Sequence, residues 1–286
     1  MILFGPSGNS EQFYEEGFKH TYEAMAWVAG MGLNAYEYSF GRGVRIGEQT
    51  AAIVKEEAQK NGIAMSVHAP YFINLATDDE EKRQKNLNYF LESARAAKWL
   101  GADRVVFHPG SCAKMDREQA FMLTLQNFAW ILEKLDEAGQ GDLTYCPETM
   151  GKVNQLGNLE EIIRLVNLDD RVLPTIDFGH LHARDRGAIN SPEDFEAILK
   201  ALIGGIGFER TKNMHVHFSR IEFTAMGEKQ HRTFADEGFG PYFEHLAPML
   251  LKYDLEPRII CEAKGTMAMD ALAMKRIYEE AKGELK

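Results

Sequence analysis

Short runs rich in β-branched and aromatic residues recur along the chain, at residues 2–5, 34–40, 64–68, 104–108, 143–148, 173–177, 214–218 and 258–262. Between them the apolar residues return every three or four positions, as in Leu87, Phe90, Leu91, Ala94 and Ala97, or Phe121, Leu125, Phe128, Leu132 and Leu135. The first pattern predicts strands and the second amphipathic helices. Ser191-Pro192-Glu193-Asp194 reads as a helix start, with a capping hydroxyl, a proline suited to the first turn and acids at the positive end of the dipole. Gly101 and Gly139 stand where helices should stop. Eight strand–helix repeats predict a parallel sheet closed into a (β/α)8 TIM barrel, an α/β fold filling residues 1–286 as one domain. A doubly wound open sheet is the alternative, and no linker, low-complexity segment or glycine-rich phosphate loop marks a boundary.

Composition narrows the class. Of 286 residues, 45% are hydrophobic and 26% charged, as in ordinary globular proteins. No apolar run approaches the roughly 20 residues needed to span a bilayer, and the start "MILFGPSG" lacks the pattern of a signal peptide, so a cytoplasmic protein without membrane contact is expected. Cys112, Cys146 and Cys261 have neither disulfide nor CxxC spacing and read as small buried hydrophobes. A formal charge of -11 argues against indiscriminate nucleic-acid binding but leaves room for a local cationic mouth.

The chemistry gathers at the strand ends. His68 closes "AMSVH", His108 "RVVFH", Glu148 "TYCPE" and Asp177 "TID"; His215 lies in "NMHVHF" and Glu262 closes "IICE". In a parallel barrel these ends form the active-site rim. A lone histidine there is usually structural, but six convergent imidazoles and carboxylates form a ligand set for zinc, or for manganese or iron. Without cations, Glu148, Asp177 and Glu262 would repel one another. In "TIDFGHLHAR", His180 reaches the rim only if the chain turns just after the strand, and His182 is a supporting partner or a surface residue. His217 shares the pleat face of His215 and reads as a supporting or structural histidine, while His20 and His245 fall in helical segments at the surface.

Taken in order, "SVHAPYFINLA", "VFHPG", "PETMGK", "DFGHLHAR", "MHVH" and "CEA" resemble the endonuclease IV family of apurinic/apyrimidinic endonucleases, within the xylose-isomerase-like barrel superfamily, over nearly the whole chain. The resemblance implies a zinc-dependent phosphodiester hydrolase of DNA repair, a monomer that cuts double-stranded DNA 5′ to an abasic site using two or three Zn2+ ions, with Mn2+ as a substitute. By motif, His68 and His108 would hold one ion, and Glu148 would bridge it to a second bound by Asp177, His215 and Glu262. His180 and His231 would hold a third. Glu148 and Glu262 are the implied catalytic carboxylates. The family's aspartate two residues before the last histidine is replaced by Lys229 in "GEKQHRTF". An ammonium cannot ligate zinc. Either Glu228, Asp236 or His217 supplies the missing ligand, or Lys229 substitutes for the ion's charge against a phosphate, or the third site is empty.

Tyr71 and Phe72 match the family's loop that wedges into the duplex, and Arg42 and Arg45 lie in the corresponding second loop. Lys114, Arg117, Lys152, Arg184, Arg186, Arg220 and Arg232 offer further DNA-backbone contacts. Two other functions fit part of the pattern. A sugar isomerase or epimerase would need only the Glu148, Asp177, His215 and Glu262 quartet, with Glu37 facing a sugar or paired to a loop arginine. A binder of abasic DNA would have lost turnover through Lys229.

Overall fold

In the computed structural model, which describes residues 1–284, the strands are β1 (Leu3–Pro6), β2 (Ala35–Ser39), β3 (Ala64–His68), β4 (Arg104–Phe107), β5 (Thr144–Pro147), β6 (Thr175–Asp177), β7 (His215–Phe218), β8 (Arg220–Thr224), β9 (Gly227–Arg232) and β10 (Arg258–Cys261). Two parallel four-stranded arrays, β1-β10-β7-β6 and β2-β3-β4-β5, meet through parallel bridges Ser7–Glu37 on one side and Tyr145–Val172 and Glu148–Thr175 on the other. The sheet is therefore a closed eight-stranded barrel, as the alternation predicts. At the β1–β2 seam a Cβ on Gly5 would stand 1.8 Å from the Ala35 carbonyl oxygen, so this junction requires glycine.

The apolar core lies between sheet and helices. Phe107 on β4 meets Phe90 of the helix Glu80–Leu100 and Phe128 of the helix Arg117–Glu137, with ring centroids 4.8 and 4.9 Å apart. Leu87, Phe90, Ala94 and Ala97, and Phe121, Phe128, Leu132 and Leu135, are buried as their spacing predicts. Ser191 caps its helix through Asp194 N–H, and Gly101 ends another with φ 69°. All three cysteines are free and buried. Among the described residues no helix is long and apolar enough to cross a membrane.

Because side chains alternate along a strand, placing Phe107 against the helices turns His108 inward. The barrel interior is correspondingly polar: Glu37, Ser66, Glu148, Thr175, Asp177, His215 and His217 are all fully buried. Burying so many polar groups is tolerable only where partners repay their lost hydration.

The antiparallel hairpin β8–β9 is an addition that the sequence pattern did not predict. It follows β7 after a single residue and pairs Arg220 with Arg232 and Ile221 with His231. Its tip docks on the loop after β5: Glu228 N–H donates to the Gly151 carbonyl at 3.0 Å, and Lys152 bridges Gly227. The backbones approach so closely that a Cβ on Gly227, which has φ +93°, would fall 2.2 Å from Gly151 O.

Candidate metal centre

Glu148 ends β5 with no accessible surface and stands between two groups of histidines. Its Oε2 lies 3.1 Å from His68 Nε2 and 3.2 Å from His108 Nε2. His68 Nδ1 is 2.8 Å from the Ala69 carbonyl, which accepts the Nδ1 proton and leaves Nε2 facing Glu148. Burial alone would lower the His68 pKa, but the neighbouring Glu148 carboxylate overrides it and pushes the imidazole up to about 9. Glu148 is held well below the usual carboxylate range despite its burial, by His217, His108 and His180.

The other Glu148 oxygen, Oε1, lies 3.2 Å from His217 Nδ1, which is also 3.5 Å from Glu262 Oε2. Asp177 completes this second group, in which one ligand atom each of Glu148, Asp177, His217 and Glu262 lies within 4.8 Å of the others. Here the expectation for His215 is corrected. In the β6–β7 register Asp177 pairs with His217 whereas His215 pairs with Thr175. His215 therefore sits one layer deeper, 3.0 Å from Glu37 Oε2, and His217 takes the rim position. Glu37 likewise faces neither an open cavity nor a loop arginine but these two buried imidazoles.

The chain turns immediately after Asp177, which caps the helix Phe178–Arg184 by accepting from His180 N–H at 2.7 Å. The turn brings His180 inward, as its chemistry requires. His180 Nδ1 lies 2.9 Å from the Thr149 carbonyl, and Nε2 faces Glu228 Oε2 at 3.5 Å. His231, hydrogen-bonded through Nδ1 to Ser219 Oγ at 2.8 Å, turns Nε2 toward Glu228 Oε1 at 3.8 Å. His180, Glu228 and His231 thus form a third ligand group.

Of the three substitutes considered for the missing aspartate, the hairpin positions Glu228. Asp236 is engaged with Thr233 N–H and hydroxyl, and His217 belongs to the second group. The expected site position of Lys229 is also corrected: one residue along the hairpin it projects to the opposite face, more than half exposed and ion-paired with Glu222. Gly151 makes room for the arrangement, since a Cβ there would lie 2.6 Å from Glu228 Cβ and 2.9 Å from His180 Cδ2.

These groups fit divalent ions. Three carboxylates converge in a buried space, and Asp177 Oδ2 has no hydrogen-bond partner. Burial, reinforced by Glu148 and Glu262, pushes the Asp177 carboxyl up despite His180 nearby, the response expected of an anion missing its counter-charge. Above the groups opens a cavity of about 350 Å³ lined by His68, His108, Tyr71, Lys152, His231 and Glu262.

The surrounding cations divide into two sets. Arg184 donates to the carbonyls of Met150, Lys152, Val153 and Gln155, and Arg117 to those of Val153 and Gln155 and to Glu161, so both strap down the loop after β5. Arg220 donates to Phe234 and Asp236 carbonyls at 2.6 and 2.9 Å, and Arg232 pairs with Glu222. Arg184 and Arg220, expected at a DNA surface, are thus engaged with backbone carbonyls of their own chain. Arg42 and Arg45 are exposed, with Arg42 Nε 3.0 Å from the Tyr71 hydroxyl. Tyr71, which lines the cavity, and its neighbour Phe72 are 46% and 49% exposed, with ring centroids 4.5 Å apart. His182 is buried and accepts from Ile189 N–H, which removes it from the surface.

The family model described as xylose isomerase-like TIM barrel matches residues 25–281. The chain belongs to that family. It is 32% identical over 280 residues, 98% of both chains, to an uncharacterized protein of Methanocaldococcus jannaschii. It is 28% identical to the probable endonuclease 4 of Aquifex aeolicus, over 77% of this chain and 78% of the relative, which supports the resemblance read from the motifs. Among solved structures, endonuclease IV from Thermus thermophilus superposes with TM-score 0.66 at 20% identity, covering 99% of this chain and 98% of that one. A D-tagatose 3-epimerase-like protein superposes with TM-score 0.72 at 18% identity and the same coverage. At such identities the superpositions speak for the barrel alone.

Proposed function

We propose that this protein is a metal-dependent apurinic/apyrimidinic endonuclease that hydrolyses the DNA phosphodiester 5′ to an abasic site. The observation that carries the reading is the His180–Glu228–His231 group, present beside the His68–His108–Glu148 group and the quartet of Glu148, Asp177, His217 and Glu262. A mononuclear sugar epimerase needs only the quartet and has no task for five additional ligand-type residues. Three neighbouring sites suit a phosphate, whose charge during displacement spreads over several oxygens.

Bound at these groups, Zn2+ or Mn2+ would supply Lewis acidity, make water a nucleophile near neutral pH and offset charge on the phosphoryl group. The residues of this chain do the rest. Glu148 offers one oxygen to each of two groups and so couples them. Glu262, at the rim, accepts from Ser7 Oγ at 3.5 Å and is the carboxylate placed to hold a proton from an attacking water. Thr149 and Ala69 carbonyls orient His180 and His68. Tyr71 and Phe72 suit the space left by a missing base, with Arg42 beside Tyr71 and the exposed Arg45 three residues on for backbone phosphates.

Incubation of the metal-loaded protein with a double-stranded oligonucleotide carrying one abasic site tests the reading. A nick on its 5′ side is expected. Turnover of a ketose without nicking would replace the proposal with the epimerase, and binding without nicking with a DNA-recognition protein.

A further inference from the structure

Glu37 has no part in that chemistry, yet it is a fully buried carboxylate in the barrel core. Burial of such an anion is costly unless charge and hydrogen bonds repay it. Its Oε2 accepts from Ser66 Oγ at 2.9 Å and lies 3.0 Å from His215 Nε2. Its Oε1 lies 2.9 Å from His217 Nε2. Both imidazole contacts lie off the ring N–H axis, since neither ring nitrogen has an aligned partner, so they are charge contacts and not straight hydrogen bonds.

A neutral imidazole carries one N–H and one lone pair. A lone pair on His217 Nε2 would be repelled by an anionic oxygen at 2.9 Å, whereas an N–H there is attracted even when misaligned. In the neutral ring that a metal requires, the proton therefore belongs on Nε2 and the lone pair on Nδ1. Nδ1 is the atom that faces Glu148 Oε1 within hydrogen-bond reach at 3.2 Å and Glu262 Oε2 at 3.5 Å, a place for a second proton in the metal-free protein and for a bound cation in its stead. Ser66 and His215 hold the second oxygen of Glu37 and so prevent the carboxylate from turning away. A carboxylate behind a ligating histidine fixes both ring orientation and tautomer.

We propose that Glu37 is a positioning residue for the second ion: it holds His217 as the Nε2–H tautomer with Nδ1 directed at the space shared by Glu148, Asp177 and Glu262. The inference rests on the metal-centre reading for its purpose, but its structural content is visible without metal. On this view the deeper His215 is a buttress and not a ligand.

The test combines 15N-histidine NMR of the full chain, with and without Zn2+, and Zn2+ affinity by chelator competition. In the wild type His217 should carry a proton on Nε2 in both states, with Nδ1 bound to Zn2+ in the loaded one. Glu37→Gln keeps the shape but removes the charge. It should weaken the second ion by about 10- to 100-fold, shift the His217 Nε2 resonance in the metal-free protein, and leave the His68–His108 ion in place. Ser66→Ala should shift affinity in the same direction by a few-fold, and it decides the matter if Glu37→Gln does not fold. A proton on Nδ1 of His217 in the zinc-loaded wild type, a metal-free wild type without a proton on Nε2, ligation of Zn2+ through Nε2, or unchanged affinity in a folded Glu37→Gln protein would each overturn the proposal. The last result with zinc still bound refutes the clamp alone. A wild type that takes up no zinc yet carries the Nε2 proton refutes the metal centre and upholds the clamp.

Discussion

His217 Nδ1 lies 3.2 Å from Glu148 Oε1, although His215 two residues earlier on the same strand face is a layer away with Glu37. This pairing predicts opposite outcomes for two similar substitutions. His217→Ala should lose the second ion and reduce nicking by at least about 100-fold, as loss of a directly bound ligand does in metal hydrolysis. His215→Asn should keep the full metal content and most of the nicking activity. Metal analysis of both purified variants checks the assignment, and the reverse ranking would restore His215 to the site.

Glu148 serves two groups at once, so its removal should be worse than that of either neighbour. Glu148→Ala leaves His68, His108 and His217 without their shared anion. Loss of two ions and of detectable nicking is expected; retention of turnover would show that the groups act independently.

The hairpin separates Glu228 from Lys229 by one residue and by one face. Glu228→Ala should cost one ion per chain and slow nicking by about 10- to 1000-fold, the range for losing a charge stabiliser at a developing oxyanion. Lys229→Ala should change neither metal content nor the abasic-site product, because its exposed ammonium pairs with Glu222 on the face away from the ligands. A strong Lys229 effect on rate would argue that the hairpin moves when DNA binds.

Gly151 gives a steric test of the same group. With 2.6 Å to Glu228 Cβ and 2.9 Å to His180 Cδ2, Gly151→Ala must shift the hairpin or the helix after β6. The expected cost is about 1–3 kcal/mol of stability together with preferential loss of the third ion, measurable by thermal unfolding and metal analysis.

Proton linkage supplies a further prediction. The Glu148 carboxylate raises the folded pKa of His68 from the ordinary 6.5 to about 9. Its contribution to the stability of the metal-free fold is complete below the lower value and is lost as pH rises through the higher one. Metal ligation needs the neutral ring, so zinc uptake between these limits must release a proton, and apparent affinity must rise with pH. Calorimetry at pH 7.5 in buffers of differing ionisation heat should report that release.

Much of this was legible from the sequence because a parallel barrel writes its strands as apolar runs and puts its chemistry where each run ends. Asp177 and His180 could be placed from "TIDFGH" alone, since only a turn reconciles them. The choice between His215 and His217 could not: both share a pleat face, and only the register against Thr175 and Asp177 gives their depth. Glu228 and Lys229 were ambiguous for a related reason. The alternation of Ile221 and Phe223 before the glycine of "TAMGEKQHR" was the available signal for a hairpin, but it is short and lies beyond the eight barrel strands. Arg184 and Arg220 misled because a charged side chain in a loop says nothing of the carbonyls around it.

The central claim is a multinuclear centre, and elemental analysis of metal per chain, on protein purified without chelator and reloaded with zinc, tests it most directly. Three ions per chain are predicted, one for each group at the rim; the fully buried Glu37, His215 and His217, which also lie close enough together to hold an ion, are expected to add none. A single ion would leave only the quartet in use and contradict the account.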